Sequence, residues 1–343
     1  MVYLSLASKW PHKWLLDYLS NRVQSVRYLG CNSAEKTINI GVPQGSILGP
    51  ILFLIYINDI FRAGHSGELI LFADDANYFE SSEDYLHLIN SVNNNLKYIS
   101  QWFLANRLAI NIIKSEAMLF SRKTIYFPLP LLILNASPIS YNYVFKFLGV
   151  LFDFKLNWKQ HIRMIGSKLS SACGILFRLR NKVTSQVAKT IYYNIAHPHL
   201  IYCNIVWTSC YPSNIHPLVI IQKRLIRVIM KCNRRTPSSP LFSQLKILKL
   251  TDVNKLNTAI FVYKSINNLI HSPITFQNRN IAQYNLRNQH NLDIPIHVSR
   301  QTELFVHVRG ARLCNTIPDD IKRKNTTFSF KRSLKHYLMN TYV

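Results

Sequence analysis

Residues 41–50 read GVPQGSILGP, residues 51–60 ILFLIYINDI, and residues 68–79 ELILFADDANYF. The first stretch is dense in glycine and proline and predicts a turn. The second is apolar almost throughout and predicts a buried helix with Pro50 near its start. The third predicts two short strands joined at Asp74–Asp75, a hairpin with an acidic tip. Apolar residues on both sides of that tip, Leu69 to Phe72 and Tyr78 with Phe79, predict a buried stem. Adjacent aspartates at a strand turn are by themselves compatible with an ordinary solvated turn. Carried on a rigid stem they suit holding a hard cation, since phosphate-bound Mg²⁺ takes one or two carboxylates plus substrate oxygens.

The pattern continues outward. HKWLLDYLSNR, residues 12–22, predicts a short amphipathic helix. Asp84 to Arg107 predicts a longer one, with Leu86, Ile89, Leu96, Ile99 and Phe103 on one face and Ser81 or Ser82 as its cap. LAINIIKSEAMLF, residues 108–120, predicts a strand pair, and KFLGVLFD, residues 146–153, a strand with a tight turn at Gly149. Beyond residue 158 the periodicity becomes helical. Ile162, Ile165, Leu169, Ala172, Leu176 and Leu179 form an apolar stripe over residues 159–182, and residues 217–231 predict a second such helix starting near Pro217. The expectation is an α+β fold in three parts: residues 1–157, residues 158–235, and a basic region over residues 236–343.

Charge separates these parts. The 343 residues hold 41 Lys+Arg against 16 Asp+Glu, a formal net charge of +25, which calls for a polyanionic partner. Residues 1–150 contribute 12 basic and 10 acidic side chains, leaving 29 basic and 6 acidic for residues 151–343. Lys159, Arg163 and Lys168 on one predicted helix, and Lys223, Arg224 and Arg227 on the other, lack acidic partners nearby in sequence and are read as phosphate contacts. At 48% hydrophobic and 17% charged, the chain can bury a real core, and wholesale disorder is not expected. No run of 18 apolar residues occurs and Lys9, Pro11 and Lys13 interrupt the first apolar stretch, so neither a membrane span nor a signal peptide is expected. That reading places the protein inside the cell. Six cysteines without a CxxC pair argue against a disulfide framework. His197, His199, Cys203, Cys210 and His216 are zinc-capable types, but their spacing does not match a structural zinc site, and Cys203, in apolar IYCNIVW, is read as a core residue.

FADD at residues 72–75 resembles the core motif of reverse transcriptases, in the form found among non-LTR retrotransposons. GVPQGSILGP resembles the motif that precedes it in that family. YLSNR before, NIIKSEAMLF after and FKFLGVLFD after that fall in the family's order. HPHLIYCNIVW (residues 197–207), QKRLIRVI (222–229) and RGARLCNTIPDDIKRKNTTFSFKRSLKHYL (309–338) resemble later segments of jockey-like elements. A group II intron or telomerase relative is the less fitting match to the GVPQGS–FADD pair.

The resemblance implies a right-hand polymerase: a partial palm in residues 1–157, a thumb-like helical region in residues 158–235, and RNA-directed DNA polymerase chemistry. It implies Asp74 as a direct metal ligand, Asp75 as a supporting one, and a two-ion Mg²⁺ site. It implies a nucleotide and template pocket at Pro43, Gln44, Gly45, Phe72 and Ala73, a triphosphate contact at Lys114, and a primer grip at Phe147, Leu148 and Gly149. RNA template, DNA primer and deoxynucleoside triphosphates are the partners it implies, and the nucleus the place. Asp59 and Asp153 recur in the family pattern and are read here as helix-end and turn residues. The family also has a third carboxylate on a strand before GVPQGS, in a pattern like FxDxxKAFD, whereas only Asp17 and Glu35 precede residue 41 here. The expectation is therefore a partial reverse transcriptase, with the fingers, the first palm strand and any endonuclease outside this chain, and without activity alone. A nucleic-acid-binding remnant with no catalytic role is the alternative.

Overall fold

The structure is a computed structural model, described here for residues 9–121, 128–277, 291–296, 299 and 302–342. It mixes strands and helices and divides into two compact units. One takes Met1–Ala117 and Tyr126–Ser140, the other Met118–Ile125 and Tyr141–Val343.

The first unit opens with α1 (Lys9–Leu19) and two small hairpin pairings among β1 (Arg22–Gln24), β2 (Arg27–Tyr28), β3 (Cys31–Asn32) and β4 (Lys36–Ile38). Then come α2 (Gly49–Ile57), a 3-10 turn over Asn58–Arg62, and the antiparallel pair β5 (Glu68–Phe72) and β6 (Asp75–Phe79). The long α3 (Tyr85–Ala105) follows, capped by Asp84, whose carboxylate accepts from the Leu86 and His87 amides, rather than by Ser81 or Ser82. A three-stranded sheet, in the order β7-β9-β8, joins β7 (Glu116–Ala117), β8 (Leu132–Leu134) and β9 (Ser137–Tyr141).

Three further sequence expectations are corrected in this unit. Residues 108–120 do not form a strand pair. Asn111 caps a 3-10 turn over Ile112–Lys114, and only Glu116–Ala117 reaches a sheet. α2 is not buried: Ile51, Leu54, Ile55 and Tyr56 are about half exposed, because the helix presents only its Phe53 and Ile57 side to neighbours. The β5–β6 stem is buried on one face only. Leu69 packs with Ile57 and Ile60, and Leu71, Tyr78, Trp102 and Phe103 lie against them. Ile70 and Phe72 point the other way and are more than half exposed or close to it, as strand alternation on a two-stranded sheet requires.

The second unit begins with the hairpin β10 (Val144–Phe147) and β11 (Val150–Asp153), two strands where the sequence suggested one. Helices follow: α4 (Lys159–Leu179), α5 (Ser185–Ile195), α6 (His197–Ile201), α7 (Asn204–Trp207), α8 (Pro212–Ile229), α9 (Ser238–Leu245), α10 (Leu250–Ile266), α11 (Val306–Thr316), α12 (Asp319–Lys322) and α13 (Thr327–Asn340). The predicted stripe on α4 is its buried face from Ile162 to Leu176, joined there by His161 and Cys173, while Leu179 at its end is half-buried. α8 starts five residues before Pro217, because Pro212 occupies its first turn and Tyr211 is non-helical. One continuous core runs through the unit, from Val150 and Trp158 to Leu338 and Tyr342.

Buried polar contacts fix this core. Gln222 is fully buried. Its amide nitrogen donates to Tyr192 Oη (3.1 Å) and the Leu248 carbonyl (3.0 Å), and its amide oxygen accepts from the Leu250 amide (2.8 Å). Arg309 of α11 donates to the Thr208 carbonyl (2.9 Å) and the Ile205 carbonyl (3.3 Å), capping the end of α7. No helix among the described residues is long and apolar enough to cross a membrane. Residues 125–134 are an apolar run interrupted by Pro128 and Pro130, and residues 125–127 of it lie outside the described residues.

Candidate functional site

In the first unit, Phe72 pairs with Asp75, so Ala73 and Asp74 form a two-residue turn. Ala73 takes φ +51°, a left-handed conformation that costs a non-glycine residue about 1–2 kcal/mol. Both Asp74 and Asp75 are exposed. Among the described residues neither accepts a hydrogen bond or pairs with a cation, so all four carboxylate oxygens remain open to a ligand. Two free carboxylates on a strained tip form a hard-oxygen donor set, which suits a divalent cation that keeps water or phosphate oxygens as its other ligands. Among the described residues no group of three or more His, Cys, Asp or Glu side chains is gathered as a metal cluster, so the fit is to a partial site.

The GVPQGSILGP segment folds into a turn before α2. Ser46 anchors it: its amide and hydroxyl donate to the Pro43 carbonyl (3.3 and 2.8 Å), and its hydroxyl accepts from the Gly49 amide (3.0 Å) and Tyr18 (2.7 Å). Gly45 has φ +82°, as the third residue of a type II turn requires. A Cβ on Gly49 would come 2.9 Å from Ser46 Oγ, so glycine there lets the turn close on the helix start. Arg22, from the YLSNR segment, donates to the Gly41 carbonyl (2.6 Å) and ties two motifs together. Gln44 and Gly45 project into solvent. Lys114 ends the 3-10 turn and is exposed. Among the described residues no hydrogen bond or ion pair links Pro43–Gly45, Asp74–Asp75 and Lys114 to one another.

In the second unit, Phe147 pairs with Val150 across Leu148–Gly149, whose φ values are +45° and +83°, the signature of a type I′ hairpin turn. Phe147 lies 6.4 Å from both Phe145 and Phe152, ring centre to ring centre. Tyr202 donates its hydroxyl to the Leu148 carbonyl, and a Cβ on Gly149 would be 3.5 Å from that tyrosine ring. Asp153 closes the hairpin's far end: its buried carboxylate accepts from the Lys155, Asn157 and Trp158 amides (3.2, 3.1 and 2.7 Å), a turn role as the sequence suggested. His161 Nδ1 accepts from the Leu151 amide (3.2 Å), and burial, with Lys168 nearby, pushes its pKa down to about 4. The ring is therefore neutral near pH 7. A cleft of about 560 Å³ beside the turn is lined by Gly149, His161, Met164, Lys168, His199 and Tyr202 among others.

Lys159, Arg163 and Lys168 lie on the exposed side of α4, and Arg224 is exposed on α8. Lys223 and Arg227 are half-buried, and Arg227 Nε is committed to the Thr236 carbonyl (2.8 Å). Cys203 is exposed, not core. It adopts φ +48° just before α7 and turns the apolar segment so that Trp207, not Cys203, enters the interior. Sequence reasoning missed Tyr202, Ser46 and Arg309. Tyr202 and Arg309 work through backbone carbonyls distant in sequence, which leaves no mark on local pattern, and Ser46 joins its own turn to Tyr18, 28 residues before it.

Residues 4–169 match the profile of the family described as reverse transcriptase (RNA-dependent DNA polymerase). The chain is 29% identical over 251 residues to a protein of Drosophila melanogaster named a probable RNA-directed DNA polymerase from transposon X-element, covering 70% of this chain and 27% of that one. It is 25% identical over 258 residues to the RNA-directed DNA polymerase from mobile element jockey of Drosophila funebris, covering 72% and 28%. The jockey protein of Drosophila melanogaster is 27% identical over 246 residues, covering 69% and 27%. The chain thus spans little more than a quarter of the length of these relatives. On these similarities, residues 4–169 resemble the reverse transcriptase family, and about 70% of the chain is similar to the RNA-directed DNA polymerases of the X-element and jockey mobile elements.

Proposed function

We propose that this chain contributes the metal-binding hairpin, nucleotide turn, primer grip and thumb of an RNA-directed DNA polymerase. The observation that carries the reading is the free carboxylate pair of Asp74 and Asp75 on the turn at Ala73. Asp74 is the direct ligand of Mg²⁺ and Asp75 its support, and an ion bound there supplies charge neutralisation at the triphosphate. Gln44 and Gly45 meet the incoming nucleotide and template, where an exposed glycine turn permits close backbone approach. Lys114 faces the triphosphate. Phe147, Leu148 and Gly149 hold the primer end, with Tyr202 as the positioning residue behind them. The exposed cations of α4 and α8 bind backbone phosphates of the RNA–DNA duplex. The reaction is attack of a primer 3′-hydroxyl on the α-phosphate of a deoxynucleoside triphosphate, with pyrophosphate leaving.

Asp74 lies in the two-residue turn and Asp75 opens β6, so both carboxylates come from the tip of one hairpin. Holding two ions against their mutual repulsion needs carboxylates from more than one strand. We therefore propose that residues 1–343 alone do not extend a primer. The test is extension of a DNA primer on RNA with Mg²⁺ or Mn²⁺. The chain is compared with the same chain joined to the segment that precedes this region in its relatives. Activity is expected only in the joined protein, and there Asp74→Asn abolishes it while nucleic-acid binding persists. Equal extension by both proteins would refute the missing-ligand argument. The charge asymmetry favours a second reading, a nucleic-acid-binding protein without catalysis. A joined protein that binds RNA–DNA but never extends a primer would establish it.

A further inference from the structure

α13 carries Phe328, Lys331, Arg332 and Lys335 at spacings of three and four residues, so they share one stripe of the helix. Phe330, Leu334 and Leu338 occupy its buried face. Phe328 is 76% exposed, a large ring standing in solvent one turn before Lys331 and Arg332. Lys331 and Arg332 are exposed, and Lys335 is half-buried. Lys189 of α5 approaches the same place. Burial lowers the Lys335 pKa, and the charges of Lys189 and Lys331 lower it further. His197, at the start of α6, is depressed by burial and then by Lys335 and Lys331, and its ring packs edge-on to Tyr193 at 4.9 Å. Lys189 of α5 and Lys331 and Lys335 of α13 thus lie near one another, with His197 of α6 beside the last two.

Among the described residues none of Lys189, Lys331, Arg332 and Lys335 forms an ion pair. Like charges four apart on a helix repel one another and weaken it. The fold carries that cost with no compensating acid, and a bound polyanion would remove it. A lipid surface would ask for a wider apolar face beside the cations. Here the exposed Phe328 ring shares one helix stripe with Lys331, Arg332 and Lys335, the pattern by which proteins hold single strands: phosphates on the cations, a base on the ring.

We infer that the Phe328–Lys335 stripe of α13, with Lys189 of α5, is a contact site for single-stranded nucleic acid. It is separate from the α4 and α8 faces proposed above, and its existence does not depend on the chemistry at Asp74. Each lysine neutralises one backbone phosphate, and Phe328 stacks on a base.

The test uses the full chain and fluorescence anisotropy with end-labelled oligouridylate and with a blunt DNA duplex, across a salt series. Lys331→Gln with Lys335→Gln should lower the slope of log affinity against log salt by about 1.4 on the single strand, about 0.7 for each lost phosphate contact. Phe328→Ala should weaken oligouridylate binding about fivefold or more, leaving both the slope and the duplex affinity unchanged. Lys331→Arg with Lys335→Arg should retain binding, which separates charge from any loss of fold. A Lys159→Gln, Arg163→Gln protein measured alongside tests the α4 face on its own. Loss there, with the α13 variants unchanged and folded by circular dichroism, would overturn this inference and leave the α4 reading intact. Lysine-dependent binding to phosphatidylserine vesicles without any change in oligouridylate binding would overturn it in favour of a membrane surface.

Discussion

Replacing Gln222 by methionine keeps the length and volume of the side chain and removes all of its hydrogen bonds. The wild-type amide serves three buried partners: Tyr192 Oη at 3.1 Å, the Leu248 carbonyl at 3.0 Å and the Leu250 amide at 2.8 Å. Gln222 and Tyr192 are both fully buried, and Leu250 nearly so, so water cannot replace the lost partners. A buried group left unpaired costs about 1–3 kcal/mol. The tyrosine hydroxyl can turn, whereas the Leu248 carbonyl and the Leu250 amide are fixed by the start of α10. Two fixed groups, offset by about 1 kcal/mol of extra apolar burial, give a net loss of about 1–5 kcal/mol. That is a large share of the stability of a domain of this kind. Urea denaturation followed by helical circular dichroism should show the midpoint fall by about 1 M or more at unchanged slope. A midpoint within error of wild type would refute the claim that this network holds α5, α8 and α10 together.

Three further outcomes follow from the same contacts. The pKa of His161 falls from 6.5 to about 4 on folding, through burial first and Lys168 second, so the unfolded chain binds the proton more readily. Stability is full above about pH 6.5 and is lost as pH falls towards 4, by at most about 3 kcal/mol, and His161→Gln should flatten that window in thermal melts. Gly149→Ala should cost about 1 kcal/mol through its φ of +83°, since the new Cβ sits 3.5 Å from Tyr202 in ordinary contact; a loss of several kcal/mol would mean a clash instead. Hydrogen exchange should be fast in residues 68–79 and slow in residues 218–229, and equal protection would contradict the packing described for the two units.

The order of elements was legible because periodicity reports burial, and burial was real where the core is thick. The stripe on α4 was read residue by residue, since Ile162, Ile165, Leu169, Ala172 and Leu176 all pack inward. The acidic hairpin was legible for the same reason that its turn is short: FADD stands between two apolar strands. The apolar run of α2 misled, because hydrophobic composition does not say whether a partner is present, and Ile51, Leu54 and Ile55 remain open to solvent. Cys203 misled because a single left-handed residue reverses the direction of an apolar segment. Tyr202, Arg309 and Gln222 were invisible, since each is defined by a backbone group reached only through the fold.

The two units differ in how firmly they hold what they carry. In the second, the Leu148–Gly149 turn is fixed from both sides, by Tyr202 at Leu148 and by His161 at Leu151, and both anchors belong to the helical part that forms one continuous core. In the first, the Asp74–Asp75 turn stands on a two-stranded stem held by one face to Ile57, Ile60 and their neighbours. An isolated pair of strands is marginal in water, and a catalytic group must be held to within about 0.5 Å. The other face of the stem, with Ile70 and Phe72 exposed, and the open side of α2 are therefore the places where further burial would stiffen the carboxylates. A strand added to that hairpin would cover exposed apolar surface and satisfy free backbone groups at its edge. If it carried an aspartate, it would bring a further carboxylate towards Asp74. Ligand geometry and packing thus make the same demand of the hairpin: a neighbouring strand that covers its open face and carries a carboxylate of its own.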